Sequence, residues 1–353
     1  MKVIVLLLSL LMVSTSKDPL DALKLNQVQV IGSHNSYKRA IDTALFKLLL
    51  ANDSTVSRIE YSHIPLTDQL NLGLTNLELD VYADTKGGKY ASPNGTKWIA
   101  HASPYDPQGK MKSPGFKVLH IQDIDFRTNC LLLRDCLQEL RAWSDQHPGH
   151  PPIFITMNTK DDTMNRPGFT IPEPITASIL DLLDQELVAY LGKDKLVVPD
   201  DVRGKYTTLE KAVLAGNWPG YKKARGKFFF VLDETGDKRA AYLKDHPSLQ
   251  GRIFFTNATP NEPDAAFLVM NDAITDEQRI KQLVQKGYMV RTRADADTYE
   301  ARHNDYSRFA AACRSGAQII TTDYYRKSTH FPSDYIISFE GNSYRRINPV
   351  TGK

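Results

Sequence analysis

Val28-Gln29-Val30-Ile31-Gly32-Ser33-His34-Asn35 and Leu74-Thr75-Asn76-Leu77-Glu78-Leu79-Asp80 are two apolar runs that each end in chemistry-bearing residues. The first delivers an imidazole and an amide, the second two carboxylates. Side chains two apart on a strand share a face, so Glu78 and Asp80 point one way, with roughly 6–7 Å between their Cα atoms, and Leu79 points the other. Two carboxylates on one face need a partner, because burying each as a free anion costs several kcal/mol. A hard cation is one answer, since Ca2+ and Mg2+ take all-oxygen ligand sets. A solvated strand end and an Arg-paired structural site are alternatives that the spacing leaves open.

Six further strand-like runs follow, at 116–120, 152–158, 227–233, 252–257, 288–293 and 317–323. Several are separated by segments whose apolar residues recur at three- and four-residue spacing, which predicts helices over 131–146, 175–191 and 276–286. Eight apolar strands with helical crossovers predict an α/β fold, a (β/α)8 TIM-type barrel, regular or irregular, with its site at the carboxyl-terminal mouth. A doubly wound open sheet would need a Gly-rich phosphate loop after the first strand, and Gly32-Ser33-His34-Asn35 is not one. No linker or repeat divides residues 17–353, which read as a single domain.

Residues 1–16 carry one lysine, an apolar run too short to span a bilayer comfortably, and then Ser14-Thr15-Ser16. This is the pattern of a signal peptide cut near Lys17, so the mature chain is expected to be secreted or periplasmic. Three cysteines do not make a disulfide scaffold. Cys130 and Cys136 can pair only if the chain bends before a helix begins, since regular helix separates them by about 9 Å along its axis; two independent thiols are the alternative. The formal charge of +3 comes without a basic run of the kind that tracks nucleic acid, so no nucleic-acid partner is expected.

The ordered set His34-Asn35, Glu78-x-Asp80 and a lone His120 after a third strand resembles the catalytic domain of phosphatidylinositol-specific phospholipase C. The match is to the secreted, calcium-dependent, bacterial-type branch, in which a segment like Lys117-Val118-Leu119-His120-Ile121-Gln122-Asp123-Ile124-Asp125 is familiar. It runs from about residue 27 to 349 and takes in Asn257-Ala258-Thr259-Pro260, the stretch 291–298 and Thr322-Asp323-Tyr324-Tyr325. The resemblance implies His34 and His120 as catalytic histidines, Ca2+ as cofactor, and Asn35, Glu78 and Asp80 as its ligands. Where the family often has a further Glu, at the end of the fourth strand, this chain has Asn158, an oxygen donor without charge.

Phosphodiester cleavage by a neighbouring hydroxyl needs a base for the attacking oxygen and an acid for the leaving one, and imidazole titrates nearest neutral pH. His34 is assigned as base and His120 as acid; the reverse order, a carboxylate base and His101 as the acid remain open. Lys160, Arg291, Arg293, Asp323 and Tyr325 are candidates for the phosphate and the inositol ring, with ordinary barrel ion pairing as the alternative. His147, His150, His246 and His330 are expected to be solvated. The partner implied is a phosphoinositide-type lipid met transiently at a membrane surface by a monomeric enzyme. A glycerophosphodiester phosphodiesterase, which shares the barrel and the Glu-x-Asp logic, and an inactive lipid- or glycan-binding barrel are the competing functions.

Overall fold

The computed structural model describes residues 18–164, 166 and 168–352, so the expected signal peptide and its cut site lie outside the described residues. No helix among the described residues is long and apolar enough to cross a membrane. Strands β1 (Val28–Ser33), β2 (Asn76–Tyr82), β3 (Lys117–Val118), β4 (Ile153–Thr159), β5 (Leu196–Val197), β6 (Phe228–Leu232), β7 (Phe255–Thr256), β8 (Phe267–Val269), β9 (Met289–Arg293), β10 (Ile319–Thr322) and β11 (Arg345–Ile347) share one sheet. Eight of them, β7-β6-β4-β2-β1-β10-β9-β8, run parallel and curl until the edges β7 and β8 meet at the single bridge Asn257–Phe267. This is the expected (β/α)8-type barrel in an irregular form.

One of the expected staves is replaced. Residues 116–120 hold only β3, which runs antiparallel to the end of β2 and lies outside the ring. Its Lys117 is buried against Asp84 at 3.3 Å, so the alternation that imitates a stave belongs to a flap folded over the barrel rim. The place in the ring goes to β8, which the sequence reading missed because no helix separates it from β7. The chain crosses between them in the turn-rich residues 257–266. β5 and β11 were also not foreseen; they extend the edges of β6 and β1.

Helices cover the outside of the staves. Leu133–Gln146 buries Leu133, Cys136, Leu137, Leu140 and Trp143, a spacing that keeps one face on the sheet. Truncating Leu137 to Ala would cost about 2–5 kcal/mol through the cavity it leaves. The segment before this helix bends as required, and Cys130 and Cys136 are bonded with their Cα atoms 5.7 Å apart, leaving Cys313 free. Ala177–Tyr190 starts at a Thr176 cap that accepts from the Ile179 amide, and Ala273–Lys286 stops at Gly287 in the left-handed region.

β2 shows how the barrel positions its chemistry. Leu77, Leu79 and Val81 join the apolar layer under the helices, while Asn76, Glu78 and Asp80 alternate with them and face the lumen. That direction is fixed by Glu78, which pairs with Arg291 on β9 although β1 and β10 stand between the two strands. Gly32 lets β1 approach this strand: a Cβ there would lie 2.4 Å from the Asn76 side chain.

Candidate active site

His34 leaves the end of β1 and meets Asp323, which follows β10. Its Nδ1 lies 2.9 Å from Asp323 Oδ1, and its Nε2 lies 3.7 Å from Glu78 Oε1. Burial pushes the imidazole down to about 3, with Arg293 adding to the effect and Asp323 opposing it, so the ring is neutral across the physiological range. Burial alone would raise Asp323, but His34, His63 and Arg293 around it hold its carboxyl far below the usual range. Arg293 reaches Asp323 Oδ2 at 3.3 Å, and the Asp323 amide donates to Asp295 at 2.9 Å. With Nδ1–H donated to Asp323, the network leaves the His34 Nε2 lone pair facing the lumen.

His120 has a second aspartate built for it locally. Ile121 and Asp125 exchange backbone hydrogen bonds of 3.1 and 3.0 Å around a turn in which Asp123 takes a φ of 68°. The turn folds Asp125 back so that its Oδ2 lies 2.7 Å from His120 Nδ1. Behind it sits Lys38, fully buried, 3.3 Å from the same oxygen and donating to the Tyr61 carbonyl at 2.7 Å. His101, the alternative acid, is exposed on a loop with a φ of 57°.

Beside His34 lie the carboxylates. Asn158 Nδ2 is 3.3 Å from both Glu78 Oε1 and Asp80 Oδ1, so those two oxygens converge on one point. The remaining oxygens are taken by cations: Glu78 Oε2 by Arg291, and Asp80 Oδ2 by Lys160 at 3.5 Å. The Arg-paired alternative is thus realised in part. Asp233, at the end of β6, accepts from Asn257 Nδ2 at 2.8 Å and acts on the same cluster. Burial raises Glu78 to about 7, opposed by Arg291 and reinforced by Asp80 and Asp233; burial raises Asp233 as well.

Three carboxylates against two cations leave the cluster short of positive charge, and the donors are all oxygens once the Asn158 amide is turned to present its carbonyl. The residues therefore fit a hard divalent cation, with two acids and amides as donors. Among the described residues no three His, Cys, Asp or Glu side chains converge as a metal group; Glu78 and Asp80 converge on the Asn158 amide. Asn35 is buried with a φ of 46°, its Nδ2 donating to the Tyr61 hydroxyl at 2.8 Å, while its Oδ1 has the Tyr37 hydroxyl 3.5 Å away.

The family model described as phosphoinositide phospholipase C, Ca2+-dependent, matches residues 23–349. The chain belongs to this family. Among solved structures, the calcium-dependent phosphoinositol-specific phospholipase C of a Pseudomonas species shares 18% identity with it over 93% of this chain and 97% of that one, at a TM-score of 0.55. The Ca2+-dependent phosphatidylinositol-specific enzyme of Streptomyces antibioticus shares 19% over 86% and 96%, also at 0.55. At these identities the likeness concerns the fold. No curated protein matches the sequence.

The enzyme brings His34, His120, Glu78, Asp80, Asn158 and Lys160 to one mouth, but several assignments shift. Asp323, expected on the inositol ring, is 1% exposed and serves His34. Arg291 and Arg293 are committed to Glu78 and Asp323, as barrel ion pairs. Tyr325 is buried, stacked on His63 at 5.4 Å, with its hydroxyl accepting from the Ile64 amide at 3.3 Å. His150, expected in solvent, is buried between Ser144 and the Pro151 carbonyl, at 2.8 and 2.6 Å. Sequence reasoning gave no role to Asp125, Lys38, His63 or Asp233. Asp125 lay within the quoted His120 segment, and Asp233 carried the same strand-end signal as Asn158.

Proposed function

We propose that the enzyme cleaves phosphatidylinositol-type lipids at a membrane surface, outside the cytoplasm, into diacylglycerol and an inositol phosphate, with calcium bound and His34 and His120 as the acid–base pair. The observation that carries this reading is that each imidazole is tied through Nδ1 to its own aspartate, at 2.9 and 2.7 Å, beside one cluster of carboxylates. Neutral His34 is set to take the proton of the inositol hydroxyl on Nε2. His120, oriented through Nδ1 by Asp125, is set to hand an Nε2 proton to the departing glycerol oxygen. Glu78, Asp80, Asn158 and Asn35 would hold the calcium, which supplies positive charge against the non-bridging phosphate oxygens. Lys160, anchored on Asp80 at 3.5 Å, would add a positive charge for the phosphate.

The attacking hydroxyl is tethered to the phosphate, so it gains the advantage of an intramolecular nucleophile, and a cyclic inositol phosphate forms first. The test is turnover of phosphatidylinositol, phosphatidylcholine and glycerophosphoinositol, with and without chelator, together with a lipid methylated on the inositol 2-hydroxyl. The expected result is calcium-dependent cleavage of phosphatidylinositol alone and an inert methylated analogue. Cleavage of that analogue at a comparable rate would mean direct attack by water. Turnover of the soluble diester only would mean a glycerophosphodiesterase, and calcium-dependent binding without turnover an inactive barrel.

A further inference from the structure

His63 is a buried group that the reaction outlined above leaves unused. Its side chain has no exposure, and neither ring nitrogen has a hydrogen-bond partner. The ring lies between aromatic neighbours, stacked on Tyr325 at an interplanar angle of 18° and 5.7 Å from Tyr61. A phenylalanine would suit such a slot better, because a buried polar group without a partner is destabilising. The chain nonetheless keeps an imidazole there, and its Nε2 lies 3.8 Å from Asp323 Oδ1, the oxygen that His34 Nδ1 approaches to 2.9 Å.

Asp323 is therefore gripped from three elements. His34 comes from the end of β1, His63 from the segment that also carries Tyr61, and Arg293 from β9, with Asp295 holding the Asp323 amide. The gap of 3.8 Å is longer than a hydrogen bond. A cavity of about 140 Å3 has Tyr61, His63, Asp323 and Tyr325 in its wall. We propose that His63 is a positioning residue. Carrying a proton on Nε2, it shares Asp323 Oδ1 and fixes the rotation of that carboxylate. His34 then keeps its proton on Nδ1 and aims Nε2 at the substrate. The inference rests on the role given to His34 above.

The experiment compares His63→Phe and His63→Gln in the full enzyme on phosphatidylinositol vesicles, with His34→Ala and Asp323→Asn measured alongside. His63→Phe keeps the stacking and removes the donor. It should lower kcat roughly 10–100-fold, the range for outer partners of a functional imidazole, with KM within about two-fold and the melting temperature unchanged or higher. His63→Gln retains a donor and should recover most of the lost kcat. In an Asp323→Asn background His63→Phe should add nothing further. An unchanged kcat in His63→Phe, a Gln variant no better than Phe, or additive losses in the double variant would each overturn the inference. If His34→Ala itself retains kcat, the assignment of His34 fails first, and the role of His63 falls with it.

Discussion

His120 finds its aspartate five residues away across one tight turn, whereas His34 finds its own 289 residues along, where β10 returns to lie beside β1. The two pairs differ in backing as well. Asp125 is held by Lys38, both with no side-chain exposure, while Arg293 behind Asp323 is 15% exposed and shares that carboxylate with two histidines. One pair is thus a local device with a single buried counter-charge, and the other a product of the whole sheet with its charge distributed. The local pair is the more brittle in energy, the distributed one the more dependent on the fold.

The comparison is broken most severely by removing the rings themselves. His34→Ala and His120→Ala should each depress kcat by roughly two to four decades, with calcium affinity, read by calorimetry, within a few-fold. Loss of calcium binding in either variant would place that histidine in the metal shell.

The next largest effect separates the two backings. Lys38→Met leaves the fully buried Asp125 with His120 alone and should cost about 3–5 kcal/mol in denaturant unfolding. Arg293→Met leaves Asp323 with His34 and His63, and should cost less. Equal losses would mean that the two aspartates are equally well shared.

The smallest effect is in the pH dependence of stability. Burial raises Glu186 and Asp295 to about 7 from 4.5 and 3.8. Over that interval the folded state holds protons the unfolded chain has released, so their contribution grows as pH falls from 7. His34, lowered from 6.5 to about 3, acts oppositely: it is neutral when folded and protonated when unfolded, so stability is lost as pH falls below 6.5. Each group sets a slope of at most about 1.4 kcal/mol per pH unit. Two carboxylates outweigh one histidine, so in chelator the melting temperature should be higher at pH 5.5 than at 7.5. His34→Gln should widen the difference. A fall in melting temperature on acidification would show that the carboxylates are not the dominant groups.

Much of this was legible in the sequence because it is written locally. The alternation Asn76-Leu77-Glu78-Leu79-Asp80 announces a stave with a polar lumen face, and a histidine at the end of β1 announces the mouth. The count of eight staves held, but β3 was taken for one and β8 was not, since a two-residue flap and a three-residue stave carry too little pattern to be told apart. The partners of the histidines were harder to read. Asp323 looked like a substrate residue because nothing in its neighbourhood of sequence says that β10 closes against β1. Lys38 and His63 become meaningful only when a turn and a distant loop converge on the same carboxylates.

The single bridge at Asn257–Phe267 gives the barrel a clasp. It lies across the ring from the junction of β2 and β1, registered at Gly32–Asn76, and β1 is in turn laddered to β10 over four residues from Val30–Ile319 to Ser33–Thr322. Opening the cylinder at the clasp therefore leaves the β1–β10 ladder intact. The sheet can yield at β7 and β8, and the junction on which the His34–Asp323 pair depends stays shut.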